Sequence, residues 1–328
     1  VATATYTIDA NDENLTATSC DAVVNMPLEK AYTGIIYVNK TGNDDNEGSI
    51  DAPVANVAKA VELALAGSGQ IIIDEGTYSG YDYHVTGDLT VTGVGTVVLD
   101  GENQGRLFYM EYADKGNVNK LELNNLTITN GNGSYGAAVY SFANELILNN
   151  VAVVNNNANG YVISSNGKLN IKDSTVSNNK AGNTIYHSGS GDVIIKNTVF
   201  ENNLVNADTS VWAVIYISSS SSGNMTVEDS KFKNNTVRQG ILYTNNFKTQ
   251  VINTTFADNE NQASYGGAIR TQGGTLTVSD SVFINNKAFR AGGAINVGAS
   301  TTATIDKSIF INNAAGTGYY GDAIYNGN

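Results

Sequence analysis

From Leu121 onward, apolar and polar residues alternate in short runs that return at a nearly fixed distance. Copies begin at Leu121, Leu146, Leu169, Val193, Met225, Thr249, Leu276 and Ala303. Seven residues later stand Ile128, Val153, Val176, Phe200, Phe232, Phe256, Phe283 and Phe310. The copies are offset by 25, 23, 24, 32, 24, 27 and 27 residues. Alternation with period two marks half-buried strands. A period in the twenties, too short for the common helical repeats, predicts a solenoid built of strands.

Within a copy the positions divide by role. Leu276 and Val278 point inward from one strand, Asp280 makes a bend, and Ser281 and Phe283 point inward from a second. The bend position holds Asn125, Asn150, Asp173, Asn197, Asp229, Asn253, Asp280 and Lys307. Asn and Asp tolerate the left-handed backbone that a sharp corner needs. A pair of asparagines then follows, as at Asn155-Asn156, Asn178-Asn179, Asn202-Asn203, Asn234-Asn235, Asn285-Asn286 and Asn312-Asn313. Stacked at ~4.8 Å, their amides can bond to one another and to the turn backbone. A third strand is centred on Val139, Val162, Ile185, Ile215, Leu242, Ile269, Ile295 and Ile324. Three strands per turn make a triangular coil with parallel sheets, a parallel β-helix.

Residues 1–35 read as a lead-in or cap, with strand-like alternation over 1–8, and the β-helix as residues 36–328. Between 56 and 66 the apolar Val57, Ala60, Val61, Ala64 and Leu65 share one helical face, with Asn56 as N-cap and Gly67 at the stop. An amphipathic helix there suits the covering of open strand edges at the first coil. Residues 89–91, 97–99 and 107–110 read as irregular early coils. The sequence given stops midway through a further coil at Tyr325, so the expectation is a solenoid that continues or is covered by a partner.

These residues resemble the pectin-lyase-like, right-handed parallel β-helix superfamily. Tyr37 and Val38, Gly42, Gly48 and Pro53, the helix, and Ile71 through Gly76, Thr77 and Tyr78 are similar to the opening of many such proteins. Gly-Gly-Ala-Ile at 266–269 and 292–295, and Phe-x-x-Asn at Phe200, Phe232, Phe256, Phe283 and Phe310, resemble the repeats of polymorphic outer-membrane adhesins. The overall likeness is greatest to adhesin-like surface proteins of methanogenic archaea. It covers residues 36–328 and implies an all-β fold: a right-handed, single-stranded parallel β-helix of three short parallel sheets with an N-terminal capping helix. This fold carries lyases, hydrolases, esterases and non-enzymatic adhesins alike.

Composition narrows the function. Acidic residues number 31 against 18 basic, a net charge of −13, which sets the surface against phosphate backbones and anionic lipid. No nucleic-acid partner is expected, and no membrane insertion by this segment, since no run of about 20 apolar residues occurs. Residues 1–20 lack the basic start and apolar middle of a signal peptide, which reads as a mature form or an excised fragment. Cys20 stands alone, so no intrachain disulfide forms.

Neither paired carboxylates for glycoside hydrolysis nor a base with charge neutralisation for elimination stands out, and no catalytic residue is assigned. His187, at a strand end after the outward Tyr186, reads as solvated. Asp44, Asp45, Glu47 and Asp51 could offer oxygen ligands to Ca²⁺ but lack the spacing of a defined loop; otherwise no cofactor is expected. Two aromatic columns remain. The outward position after each third-strand centre is Tyr140, Ile163, Tyr186, Tyr216, Tyr243, Arg270, Asn296 and Tyr325. Loops entering that strand carry Tyr135, Trp212, Arg238, Tyr265, Arg290 and Tyr320, with the longest insertion at 204–213. Such side chains stack on sugar rings or dock proteins. The expectation is a non-enzymatic adhesin at the extracellular cell surface, binding a glycan or the surface of another cell. The alternatives are a polysaccharide lyase or glycoside hydrolase, and a structural stalk or spacer.

Overall fold

The computed structural model describes residues 14–19, 22–27, 32–205, 213–218 and 223–327. The expected strand at 1–8, Cys20 and Trp212 lie outside the described residues. Asn14–Ser19 and Ala22–Pro27 pair as an antiparallel hairpin.

From Ile36 the chain winds as a right-handed parallel β-helix, the hand that parallel crossovers take. Leu121, Leu146, Leu169, Val193, Met225, Thr249, Leu276 and Ala303 lie opposite one another from coil to coil, with no slip. The expected irregular early coils belong to the same register. Leu89 pairs with Leu121, Leu99 with Ile128, and Ile36 with Ile71. Their spacing in sequence is uneven because the connecting turns differ, while strand pairing is not.

The second strand of each coil aligns Ile128 through Phe310. Phe200, Phe232, Phe256, Phe283 and Phe310 form one internal stack, with centroids 4.6, 4.8, 5.0 and 4.8 Å apart and planes within 6°. All eight bend residues, Asn125 through Lys307, have positive φ, as the corner requires. Of each asparagine pair, the first turns left-handed and the second goes inside. Asn156, Asn179, Asn203, Asn235, Asn259, Asn286 and Asn313 form a buried ladder in which each Nδ2 donates to the next Oδ1 at 2.9 to 3.1 Å. Each Nδ2 from Asn179 onward also donates to the carbonyl of an inner residue of the coil before, from Val153 to Phe283. Asn259 was hidden from the pair pattern because Asp258 takes the corner before it.

A second ladder runs through the small hydroxyls after the bend. Ser174, Thr198, Ser230, Thr254 and Ser281 each donate to a carbonyl two residues back, and all but Thr198 accept the N–H of the residue after the bend in the preceding coil. The backbone that turns inward at this corner is thereby satisfied without water.

The cap is α1, Val57–Ala66, which buries Val57, Ala60, Val61 and Ala64 against Ile36–Val38 and Gln70–Ile73. Asn56 occupies the N-cap without a capping bond of its own side chain; Asp44 instead accepts the N–H groups of Ala55 and Asn56 at 2.9 Å. Gly67 ends the helix, and the left-handed residue is Gly69, whose N–H returns to the Ala64 carbonyl at 2.7 Å.

One expectation for the third sheet is corrected. Val139 pairs with Ile163, not Val162, because a bulge after Tyr135 shifts the register. Ile163 then aligns with Ile185 and points inward beside Val162, both fully buried.

Candidate functional site

The inner faces are spent on core and ladders, and among the outer faces the third sheet's gathers aromatic rings and arginines. In register along it stand His84, Tyr109, Tyr140, Ser164, Tyr186, Tyr216, Tyr243, Arg270, Asn296 and Tyr325. Ser164 takes the place expected for Ile163, and the missing ring is supplied from the bulge. Tyr161 stacks on Tyr186 at 4.1 Å with planes 6° apart, and Tyr135 leans on Tyr161 at 5.2 Å. Tyr186 to Tyr216 is 5.8 Å and Tyr216 to Tyr243 is 5.2 Å, each tilted by about a third of a right angle. Burial raises the pKa of Tyr140 and Tyr216, and that of Tyr161 to about 12, with the neighbouring phenols adding to it. Tyr140, Tyr161 and Tyr216 therefore hold protonated hydroxyls, able both to donate and to accept, while the Tyr243 hydroxyl donates to Gln272 at 2.6 Å.

Beyond Tyr243 the stack alternates with cations. The Arg270 guanidinium lies 4.6 Å from the Tyr243 ring and 5.8 Å from Tyr265, and Arg290 lies 5.4 Å from Tyr265 on the next coil. Arg270 donates to Gln239 and, at 3.0 Å, to Ser264, so it is held in place by hydrogen bonds as well as by the rings. Arg238 sits half-buried just before the strand Gly240–Asn245. Tyr320, 78% exposed, stands at the rim. A groove lined by Glu260, Lys287, Phe289, Gly316 and Tyr319 opens next to Arg290. All four arginines of this acidic chain, Arg106 included, lie on the third sheet or in loops leading into it.

The other end of the column holds a cluster that sequence reasoning missed. His84 stacks on Tyr109 at 4.7 Å, and the Arg106 guanidinium lies 4.3 Å from Tyr109 and 5.8 Å from Tyr140. His84 Nε2 is 2.8 Å from Oδ2 of the buried Asp114, which also accepts the Glu111 N–H at 2.7 Å. A carboxylate fixed in this way orients the imidazole and leaves Nδ1 available for proton transfer. Asp114 lies 30 residues beyond His84, on a one-turn 3-10 helix, Tyr112–Asp114. Only the coil geometry brings the two together.

His187 corrects its expectation of a solvated ring. It is 0% exposed, packs edge-on to Phe247 at 6.0 Å and lies 2.9 Å through Nδ1 from the Ser165 hydroxyl. Burial drives its pKa down to about 4, against the opposing pull of the Gly189 and Gly191 backbone. It follows Tyr186 by one residue and so points inward, as strand alternation demands.

Asp44 is committed to the entry of α1, and these bonds outweigh its partial burial and lower its pKa. Among the described residues no three His, Cys, Asp or Glu side chains gather as a metal site, and Asp45, Glu47 and Asp51 do not converge on Asp44. Nor, among the described residues, is any helix long and apolar enough to cross a membrane.

No curated protein matches this chain. Among solved structures it is similar to the crystal structure of an alginate lyase from Paenibacillus sp. str. FPU-7, at 13% identity with a TM-score of 0.37, over 78% of this chain and 96% of that one. The profile of the family described as "Right handed beta helix region" matches residues 109–280. With the coil geometry that those residues adopt, the chain belongs to the right-handed β-helix family.

Proposed function

We propose that this protein is a non-enzymatic carbohydrate-binding β-helix, an adhesin-type protein that presents its third-sheet face to glycans on another surface. One observation carries the reading: tyrosines and all four arginines gather on the outer face of the third sheet and in the loops leading into it. Tyrosine and arginine on a rigid sheet lose little conformational freedom on binding. The resemblance of the Asn-rich repeats to adhesin-like surface proteins agrees with it, as does an acidic surface that repels nucleic acid. An extracellular location belongs to the same proposal. The test is a glycan and cell-surface binding panel, run with the wild type and with Tyr216→Ala/Arg270→Ala. Binding without turnover, lost in the double variant, is expected. Absence of binding across the panel would leave a structural spacer.

A second reading, a polysaccharide lyase or hydrolase, draws on His84 and Asp114 beside Tyr109 and Arg106. There Asp114 would hold the imidazole while Nδ1 takes a proton from substrate. New reducing ends or unsaturated products formed from polysaccharides, and abolished by His84→Ala, would establish it over the first.

A further inference from the structure

We propose that the ligand of the third-sheet face is an extended, equatorially linked polysaccharide laid along the axis of the β-helix, one sugar to each coil. The inference rests on the carbohydrate-binding reading and adds the shape and direction of the chain that is bound. Tyr186, Tyr216, Tyr243 and Arg270 occupy one register position on four successive coils. Successive coils are one strand spacing apart, ~4.8 Å, and the groups keep that step, at 5.8, 5.2 and 4.6 Å.

Pyranoses joined through equatorial bonds form a straight ribbon that advances by about one strand spacing per sugar. Consecutive sugars therefore stay close to consecutive rungs over a tract of a few coils. Chains with one axial and one equatorial bond at each sugar, as in α-1,4-linked glucose, curl away and lose the register after a sugar or two. The rings cover much of one another's faces, so what they offer outward is ring edges and the hydroxyls of Tyr186 and Tyr216, that of Tyr243 donating to Gln272 at 2.6 Å and offering its lone pairs alone. That row matches the equatorial hydroxyls along a ribbon's edge rather than the flat face of a single sugar.

The tract also has ends. At the rung before Tyr186 the register position is the nearly buried Ser164, with Tyr161 stacked on Tyr186 from outside the register, and at the rung after Arg270 it is the nearly buried Asn296. The commensurate length is thus four rungs. Backbone pairing on both sides fixes the spacing before any ligand arrives, so little ordering remains to be done on binding.

The experiment is calorimetric titration of the whole chain with β-linked glucose and N-acetylglucosamine oligomers of increasing length, beside α-linked glucose oligomers. Affinity in one of the β-linked series should climb severalfold per added sugar up to about four and then level off. The α-linked series should stay weak throughout. Tyr216→Phe retains the ring stack while removing one hydroxyl, and should cost about fivefold in affinity for the tetramer with the melting temperature unchanged. An affinity that does not depend on length, or equal binding of α-linked oligomers, would overturn axial docking and leave carbohydrate binding in place. Failure of every oligomer, on a protein that also binds nothing in the glycan panel, would overturn both.

Discussion

The second sheet and the outer face of the third are built from the same coils, yet they follow opposite rules. On the second sheet, five successive coils place phenylalanine at the same inner position, and the rings stack within 6° of parallel. The asparagines beside them repeat the same bonds coil after coil. On the third sheet's outer face, the register position changes from histidine to tyrosine to serine to arginine to asparagine, and ring tilts reach 35°. Uniformity marks what every coil needs to stay folded. Variation along a fixed spacing marks positions where the scaffold exerts no choice, and such positions are free to be chosen by a ligand.

The contrast can be broken most violently inside. Phe256→Ala removes the middle of the stack and should cost about 4 kcal/mol, through lost transfer energy and a cavity that neighbouring rings cannot fill. Chemical denaturation would register it, together with loss of single-step unfolding if the solenoid divides at the gap. Asn235→Ala removes the acceptor of the Asn203 backbone N–H and of one Asn203 Nδ2 proton, the other staying on the Val176 carbonyl, and removes the amide donor to the Phe200 carbonyl. A loss of about 3 kcal/mol is expected, with no rescue by Asp, which cannot donate.

The buried His187 gives a pH-dependent version of the same test. Its pKa falls from 6.5 in the unfolded chain to about 4 in the folded one. Between those values the unfolded state binds the extra proton, so stability drops as pH falls through that window and levels off below it. The difference between wild type and His187→Gln, followed by urea midpoints from pH 7 to pH 4, should approach about 3 kcal/mol. A flat difference would place the ring in contact with water.

Outside, effects on folding should be small and effects on binding large. Tyr216→Ala is expected to lower stability by no more than about 1 kcal/mol, while abolishing glycan retention on the panel. Smallest of all is the acidic turn. Asp44→Ala should cost about 1 kcal/mol by freeing the N–H groups at the start of α1, and a chelator should leave the melting temperature of the wild type unmoved. A rise in melting temperature on adding Ca²⁺ would restore the metal reading of that turn.

Much of the inner architecture could be read from the chain alone, because strand period and corner chemistry are local. Leu121 and its successors, and the left-handed residues from Asn125 to Lys307, stand where spacing put them. Where the reading failed, the cause was a local exception. A bulge exchanged Ile163 for Ser164 and brought Tyr161 into the column, and no propensity marks where an extra residue will be accommodated. A strand end predicts a solvated His187, though alternation from Tyr186 already points it inward. The His84 and Asp114 pair joins segments 30 residues apart through a connection that does not repeat, so periodicity could not reveal it.

The asparagine ladder also has a direction. Each rung gives its backbone proton and one amide proton to the Oδ1 of the coil that comes later in the chain, while its other amide proton goes back to a carbonyl of the coil before. A coil is therefore left with open donors until its successor arrives, and the arriving coil brings the acceptor that closes them. For a chain made from its N-terminus, with α1 seated first, this turns folding into a ratchet that runs with synthesis. Each newly emerged coil locks the one behind it, and the strain of incompleteness is always confined to the growing tip.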